Sequence, residues 1–245
     1  MINLIKVELY KLKTSKTFLA VIFLSVLQSI LCPIIFSQTM TGKQVLITVF
    51  ETQDVIGFFM LVGLFTAFYI ADEFSSKYIK NLIVYGHRRR DILMAKIIVY
   101  YIGITIISLI SPILITIINT FINGYGEAIT LNTLMFIIRV FMLMLLVYIG
   151  LSSIAVLIAV ICKNSTLVII SLIVLDSINR FGLAFAIRNS IVDLIYSNII
   201  FGQKVNAVAE KLSILQGTKV IVISLITIAV SIFLSIYFFE KADIR

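Results

Sequence analysis

From Leu134 to Ile161 the chain runs for 28 residues with a single charge, Arg139. About 20 mostly apolar residues suffice to cross the hydrocarbon core of a bilayer. Inside lipid every backbone N–H and C=O needs an internal partner, so such a run reads as a membrane-spanning helix. Five more candidates share its character: Phe18–Phe36, Val55–Ile70, Ile92–Ile118 (which contains Pro112), a run that begins at Thr166, and Lys219–Phe239. Val55–Ile70 is short, so its helix is expected to extend in both directions. The run from Thr166 is expected to break at the polar residues that begin with Asp176. Composition agrees, with 61% hydrophobic and 13% charged residues, against roughly 45–50% and 25% in soluble domains. The expected fold class is all-α: a polytopic membrane protein of six transmembrane helices in a single domain over residues 1–245.

Lysine and arginine set the orientation, because cytoplasmic loops carry an excess of both. With the N-terminus inside, the inner segments hold Lys6, Lys11, Lys13, Lys16, Lys77, Lys80, Arg88, Arg89, Arg90, Lys96, Lys163, Lys241 and Arg245. The outer ones hold Lys43, Arg180, Arg188, Lys204, Lys211 and Lys219, and the short loop 119–132 has neither residue type. Both termini are therefore expected in the cytoplasm of a plasma membrane, the bacterial inner membrane. Five spans, with the stretch after Asp176 wholly outside, would move the C-terminus outside or lose a helix. No small-x-small cleavage site follows the first apolar run, so it is expected to remain as a span.

The formal net charge of +8 lies in short blocks between apolar runs. That distribution points to membrane orientation and lipid headgroups, and away from nucleic acid. One histidine and no Cys-x-x-Cys leave no pattern for a metal site. No P-loop, no His-Glu-x-x-His and no intramembrane nucleophile–base pair is present, so neither catalytic residues nor a nucleotide site are expected on this chain. Cys32 and Cys162 fall near opposite faces of the bilayer, too far apart to bridge.

Residues 1–17 form an amphipathic start, with Ile5, Leu9 and Leu12 at i, i+4 and i+7. Such a helix lies in the inner interface, or serves simply as a basic anchor. Residues 177–218 alternate short apolar runs with charges and predict short re-entrant or surface helices at the outer leaflet. Val205, Val208, Ala209 and Leu212 share one face there.

At Ala71 continuous hydrophobicity gives way to periodicity, in "ADEFSSKYIKNLIVYGHRRRDILMAK". Phe74, Tyr78 and Leu82 fall at i, i+4 and i+8, widened by Ile79 and Ile83, with Ser75, Ser76, Lys77, Lys80 and Asn81 opposite. This predicts an amphipathic helix on the inner face over part of residues 71–91. Gly86 is placed to end it. Such a helix lies on lipid or docks into a partner.

This segment resembles that of the permease subunits of ABC-2 type ATP-binding-cassette transporters. Glu73 after the second span, Lys80-Asn81, Gly86, Arg89, and Lys96 opening the third span fall in that family's register. Lys77-Tyr78 stands where the family carries Gly-Thr, and the ending "YFFEKADIR" is similar to the family's. Size and span number match over the whole chain, and the short permeases of bacterial peptide-antibiotic export and self-protection look most alike. The resemblance implies a second permease copy or homologous permease as dimer partner, and a separate cytoplasmic ATPase that carries ATP and Mg²⁺. It implies an ATPase-coupling segment of Glu73, Phe74, Tyr78, Lys80, Asn81, Leu82, Ile83, Gly86, Arg88, Arg89, Arg90 and Lys96. Glu73 is expected to pair with Lys77 or Lys80, and Arg88–Arg90 to meet acidic groups of the ATPase or phospholipid.

Three charges fall inside the predicted spans. Arg139 lies roughly 8–10 Å below the outer end of the fourth, and Asp176 about 15 Å into the fifth. Arg180 follows Asp176 at i+4. Asp176 is expected to pair with Arg180, Arg139 or both, lining a dimer interface or a path. The simpler alternative is that both arginines snorkel outward and Asp176 caps a broken helix. The function expected is export of a hydrophobic or amphipathic substrate, such as a peptide, an antibiotic or a lipid-like compound. The alternative is a non-transporting immunity or sensor protein that binds a peptide antibiotic.

Overall fold

The computed structural model describes residues 1–36, 40–52, 58–75 and 78–241, without the side chains of 32–36, 52, 75 and 80. Every regular element among these is helical. The short helix α1 (Ile2–Thr14) meets α2 (Lys16–Phe36) at Ser15 with a bend of 53°. Next comes α3 (Gly42–Thr52). Helix α4 (Phe58–Thr66) passes through a π turn at Ala67–Ala71 into α5 (Asp72–Ser75). A short helix, α6 (Tyr78–Val84), leads to α7 (Arg89–Asn123), the longest in the fold. Helices α8 (Leu131–Cys162) and α9 (Ser165–Ala186) follow. Then come α10 (Ser190–Tyr196), a 3₁₀ turn at Ile200–Gly202, α11 (Gln203–Val208) and α12 (Ile214–Lys241).

Helices α7, α8, α9 and α12 are long and apolar enough to cross a membrane, and α1 with α2 makes a fifth candidate if the bent pair is one span. Four or five candidates stand where six were expected. The difference lies at the second: Val55–Ile70 begins in residues outside those described, and the π turn divides the rest into pieces each too short to qualify. The fifth expected span does not break at Asp176, since α9 continues to Ala186. Arg180 one turn on neutralises Asp176, and no proline interrupts the helix.

Local chemistry sets several of these ends. Asn164 caps α9 by accepting from the backbone N–H of Thr166 and Leu167. Thr130 caps α8 in a reciprocal arrangement with Thr133. Helices α8 and α12 pack most extensively, and α2 lies along α7. The buried face of α12 carries Val220, Ser224, Ser231, Ser235 and Phe239, and α8 buries Gly150, Ser152, Ser153, Ala155 and Ala159. Small residues let two backbones approach where lipid offers no hydrophobic drive.

The center of the bundle is aromatic. Phe65 stacks on Tyr100 at 5.3 Å and on Tyr69 at 5.1 Å, with Phe18 5.6 Å away. A Cβ at Gly103 would lie 2.7 Å from the Phe65 ring, so α7 reaches α4 only because position 103 has none. Tyr100 donates to or accepts from Thr66 Oγ1 at 2.6 Å, which satisfies two buried hydroxyls.

The faces of two short helices differ from the expected ones. In α1 the buried residues are Leu4, Glu8 and Leu12, while Leu9 is exposed. In α11 they are Gln203, Lys204, Ala207 and Val208, while Val205 is exposed.

Candidate functional site

At the α1 end of the bundle, four charged side chains from three parts of the chain meet in one knot. Burial of the Leu4–Glu8–Leu12 face turns Glu8 inward from α1, and Lys11 flanks it one turn on. The π turn presents Tyr69, α5 presents Glu73, and the first turns of α7 present Lys96. Lys96 Nζ lies 3.1 Å from Glu8 Oε2 and 2.6 Å from Glu73 Oε2, and donates to the Tyr69 carbonyl at 3.3 Å. Lys11 Nζ reaches Glu8 Oε1 at 3.2 Å and Glu73 Oε1 at 2.9 Å. The Tyr69 hydroxyl donates to Glu8 Oε2 at 3.1 Å.

Two carboxylates and two ammoniums make the knot neutral, which permits its burial. Lys96 is 2% and Glu8 3% exposed. For the Glu8 carboxyl, burial alone pushes the pKa up, but the two ammoniums outweigh it and hold it below the usual carboxylate value. For Lys11, burial pushes down and the two carboxylates prevail, so its pKa is raised. The Tyr69 carbonyl that accepts from Lys96 lies within the π turn.

The knot anchors the segment that follows. Phe74 meets Phe239 of α12 edge to face at 5.6 Å, and Lys11 Nζ sits 3.1 Å over the Tyr78 ring. Ile79 is buried, and Leu82 and Ile83 pack on Leu4, Ile92 and Ala95. The stripe expected to be available for a partner therefore packs on the protein's own helices. Gly86, at φ 84°, turns the chain out of α6, with its N–H donating to the Ile83 carbonyl and that of His87 to the Leu82 carbonyl. Among the described residues of the segment, the most exposed apolar side chains are at its tip, where Val84 is 83% and Tyr85 81% exposed. Asn81, Gly86, His87, Arg88 and Arg90 are exposed beside them. Arg89 differs from its neighbours by donating to the Glu240 carbonyl near the end of α12, at 3.0 Å. The Glu73–Lys77 pairing lies outside the described residues, as does the ending 242–245, and the Glu73–Lys80 pairing rests on a side chain outside them.

Of the three charges expected inside the spans, two pair and one stands apart. Arg180 Nε lies 2.8 Å from Asp176 Oδ2, as the i+4 spacing predicts. Arg139 joins neither: it donates to the carbonyls of Ala209 and Glu210 just past α11, at 2.5 and 3.3 Å. Those carbonyls have no helical partner of their own, and a guanidinium with five donors suits them.

Glu8, Lys11 and Tyr69 were not recognised from sequence as site residues. The available signal was an acidic residue between Leu4 and Leu12 at i+4 on each side. A second group at the opposite end of α7 also went unseen. Lys43 Nζ lies 2.6 Å from Glu127 and 2.7 Å from Glu210, which ties the start of α3 to two loops.

Buried helices, long apolar spans and a charged knot beneath a protruding turn define a multi-pass membrane protein. Residues 4–178 match the family model of ABC-2 family transporter proteins, and the chain belongs to that family. The match spans both the knot and the protruding segment. No curated protein and no solved structure matches the chain.

Proposed function

We propose that this chain is the membrane-spanning permease subunit of an ATP-driven exporter, coupled to a separate cytoplasmic ABC ATPase. The carrying observation is the Glu8–Lys11–Glu73–Lys96 knot, which fixes the segment 72–88 to α1 and α7 at once. A turn that transmits force must be tied rigidly to what it moves, and a buried network of four charges is such a tie. The surface left for the ATPase is the tip, with Val84 and Tyr85 as apolar contacts and Arg88 and Arg90 as charges that set register. ATP and Mg²⁺ belong to that partner.

In this reading the α1 end faces the cytoplasm and the chain crosses six times. The second crossing runs through α4 and the π turn, Phe58–Ala71, to the start of the inner-face segment. Helix α1 lies in the inner interface, with Lys6 and Lys13 exposed. The helices between α9 and α12 lie at the outer leaflet. A second permease completes the path, which carries a hydrophobic or amphipathic substrate. The test is co-expression with each ABC ATPase subunit of the same organism that lacks a membrane domain of its own. The reading requires a stable complex whose ATP hydrolysis depends on the permease. It fails if no complex forms and hydrolysis is unaffected by this chain.

A further inference from the structure

Helix α1 has a second face, opposite the one that carries Glu8. Exposed residues follow one another there at three- and four-residue spacing: Lys6, Leu9 and Lys13, then Lys16, Ala20 and Phe23 past the bend at Ser15. Such spacing makes one continuous row. Its lysines end at the start of α2, and beyond them the row is apolar, with Phe23 66% and Leu27 42% exposed. Among the described residues Lys6, Lys13 and Lys16 form no ion pair, whereas Lys11 turns into the knot. Glu8, the one acid of α1, is buried, so every charge on the outward face is positive.

A row that passes from ammonium groups to apolar side chains matches a bilayer passing from headgroups to acyl chains, which argues for lipid over a soluble partner. Ile2 and Tyr10, 72% and 70% exposed, add the apolar contacts of an interfacial helix. Lysines at that level favour anionic headgroups over zwitterionic ones. We infer that α1 binds anionic lipid of the inner leaflet through Lys6, Lys13 and Lys16, and that this contact governs the protruding segment. The connection is the knot. From the other face of the same helix, Glu8 holds Lys96, which holds Glu73 at the root of segment 72–88. A shift of α1 in the headgroup layer is thereby carried to the tip. The inference rests on the permease reading, for which it names lipid as the regulator of coupling.

The test uses the full chain, which contains no tryptophan, so Leu9→Trp places a single fluorophore between Lys6 and Lys13. The protein is reconstituted in nanodiscs of equimolar phosphatidylcholine and phosphatidylglycerol, with one lipid or the other brominated as quencher. Quenching is expected to give phosphatidylglycerol a relative affinity at least about fivefold above that of phosphatidylcholine, the size of one lysine at an anionic surface. The preference is expected to shrink in high salt. It is expected to vanish when Lys6→Gln, Lys13→Gln and Lys16→Gln are combined, and to persist with arginine at all three positions. Equal quenching by the two lipids, or a preference that survives the glutamine changes, overturns the lipid site. Affinity for the ATPase is then compared between phosphatidylcholine alone and the mixture. It is expected to be weaker in phosphatidylcholine alone by about fivefold or more, the ordinary size of a coupling between two sites. Equal affinity in the two overturns the coupling and leaves the permease reading intact. If no ATPase binds in either while the lipid preference holds, the permease reading falls and the lipid site stands.

Discussion

Lys96 of α7 and Glu8 of α1 meet at 3.1 Å across 88 residues of chain, with side chains only 3% and 4% exposed. Through Glu73 the same ammonium holds the segment that protrudes from the bundle. One lysine therefore fixes an interfacial helix and a protruding turn to each other.

Lys96→Met leaves Glu8 and Glu73 sharing one remaining ammonium in a buried site. Removing one partner of such a network costs about 3–5 kcal/mol. The variant is expected to unfold at clearly lower temperature in detergent. Adding Glu8→Gln to it is expected to recover part of the loss, because fewer unpaired charges remain buried. Unchanged thermal unfolding in Lys96→Met would show that the knot contributes no stability.

The knot also sets a pH dependence. The Glu8 pKa is lowered in the folded state relative to its ordinary 4.5. Its contribution is therefore present above that value and is lost as pH falls through the lower folded value. Thermal stability is expected to drop on acidification below about pH 4.5, and to drop less in Glu8→Gln. Parallel acid profiles for the two proteins would contradict this.

Much of the architecture was readable from pattern. The third, fourth and sixth spans appear as α7, α8 and α12, because long apolar runs leave lipid-facing chain one choice of backbone. The α1 face was misplaced because Ile5, Leu9 and Leu12 satisfy helical spacing as well as Leu4, Glu8 and Leu12 do. Tertiary packing buries the face with the carboxylate, where Lys96 and Tyr69 reach Glu8 and where Leu4 and Leu12 join apolar clusters. The π turn at Ala67–Ala71 has no local signature, because its apolar residues suit an α-helix equally. Phe74 packs inward from α5, and Tyr78 and Leu82 pack inward from α6. Periodicity says that a face will be covered, and cannot say whether by the chain itself or by another.

At the opposite end of the bundle, Lys43 bridges two carboxylates that are 52% and 59% exposed. Exposed pairs are worth at most about 1 kcal/mol and weaken with salt. Lys43→Ala is expected to lower stability by no more than that, with the difference from the parent shrinking as ionic strength rises. A loss as large as that of Lys96→Met would show that the two groups are equivalent.

Asp176→Asn removes the partner of a half-exposed arginine, so its effect on folding is expected to be small, below about 0.5 kcal/mol. If the pair borders the path, transport falls while expression and insertion hold. Full transport by a normally folded variant would remove Asp176 from the mechanism.

The most direct measurement compares the tip with the stripe, as the affinity of the purified permease for its ATPase. Tyr85→Asp alters an 81% exposed ring and is expected to weaken association about tenfold while thermal stability stays unchanged. Leu82→Asp, which alters an inward residue, is expected to lower thermal stability first. Undiminished affinity in Tyr85→Asp, alongside a loss in a Leu82→Asp protein of parental stability, would place the partner on the stripe and contradict the account.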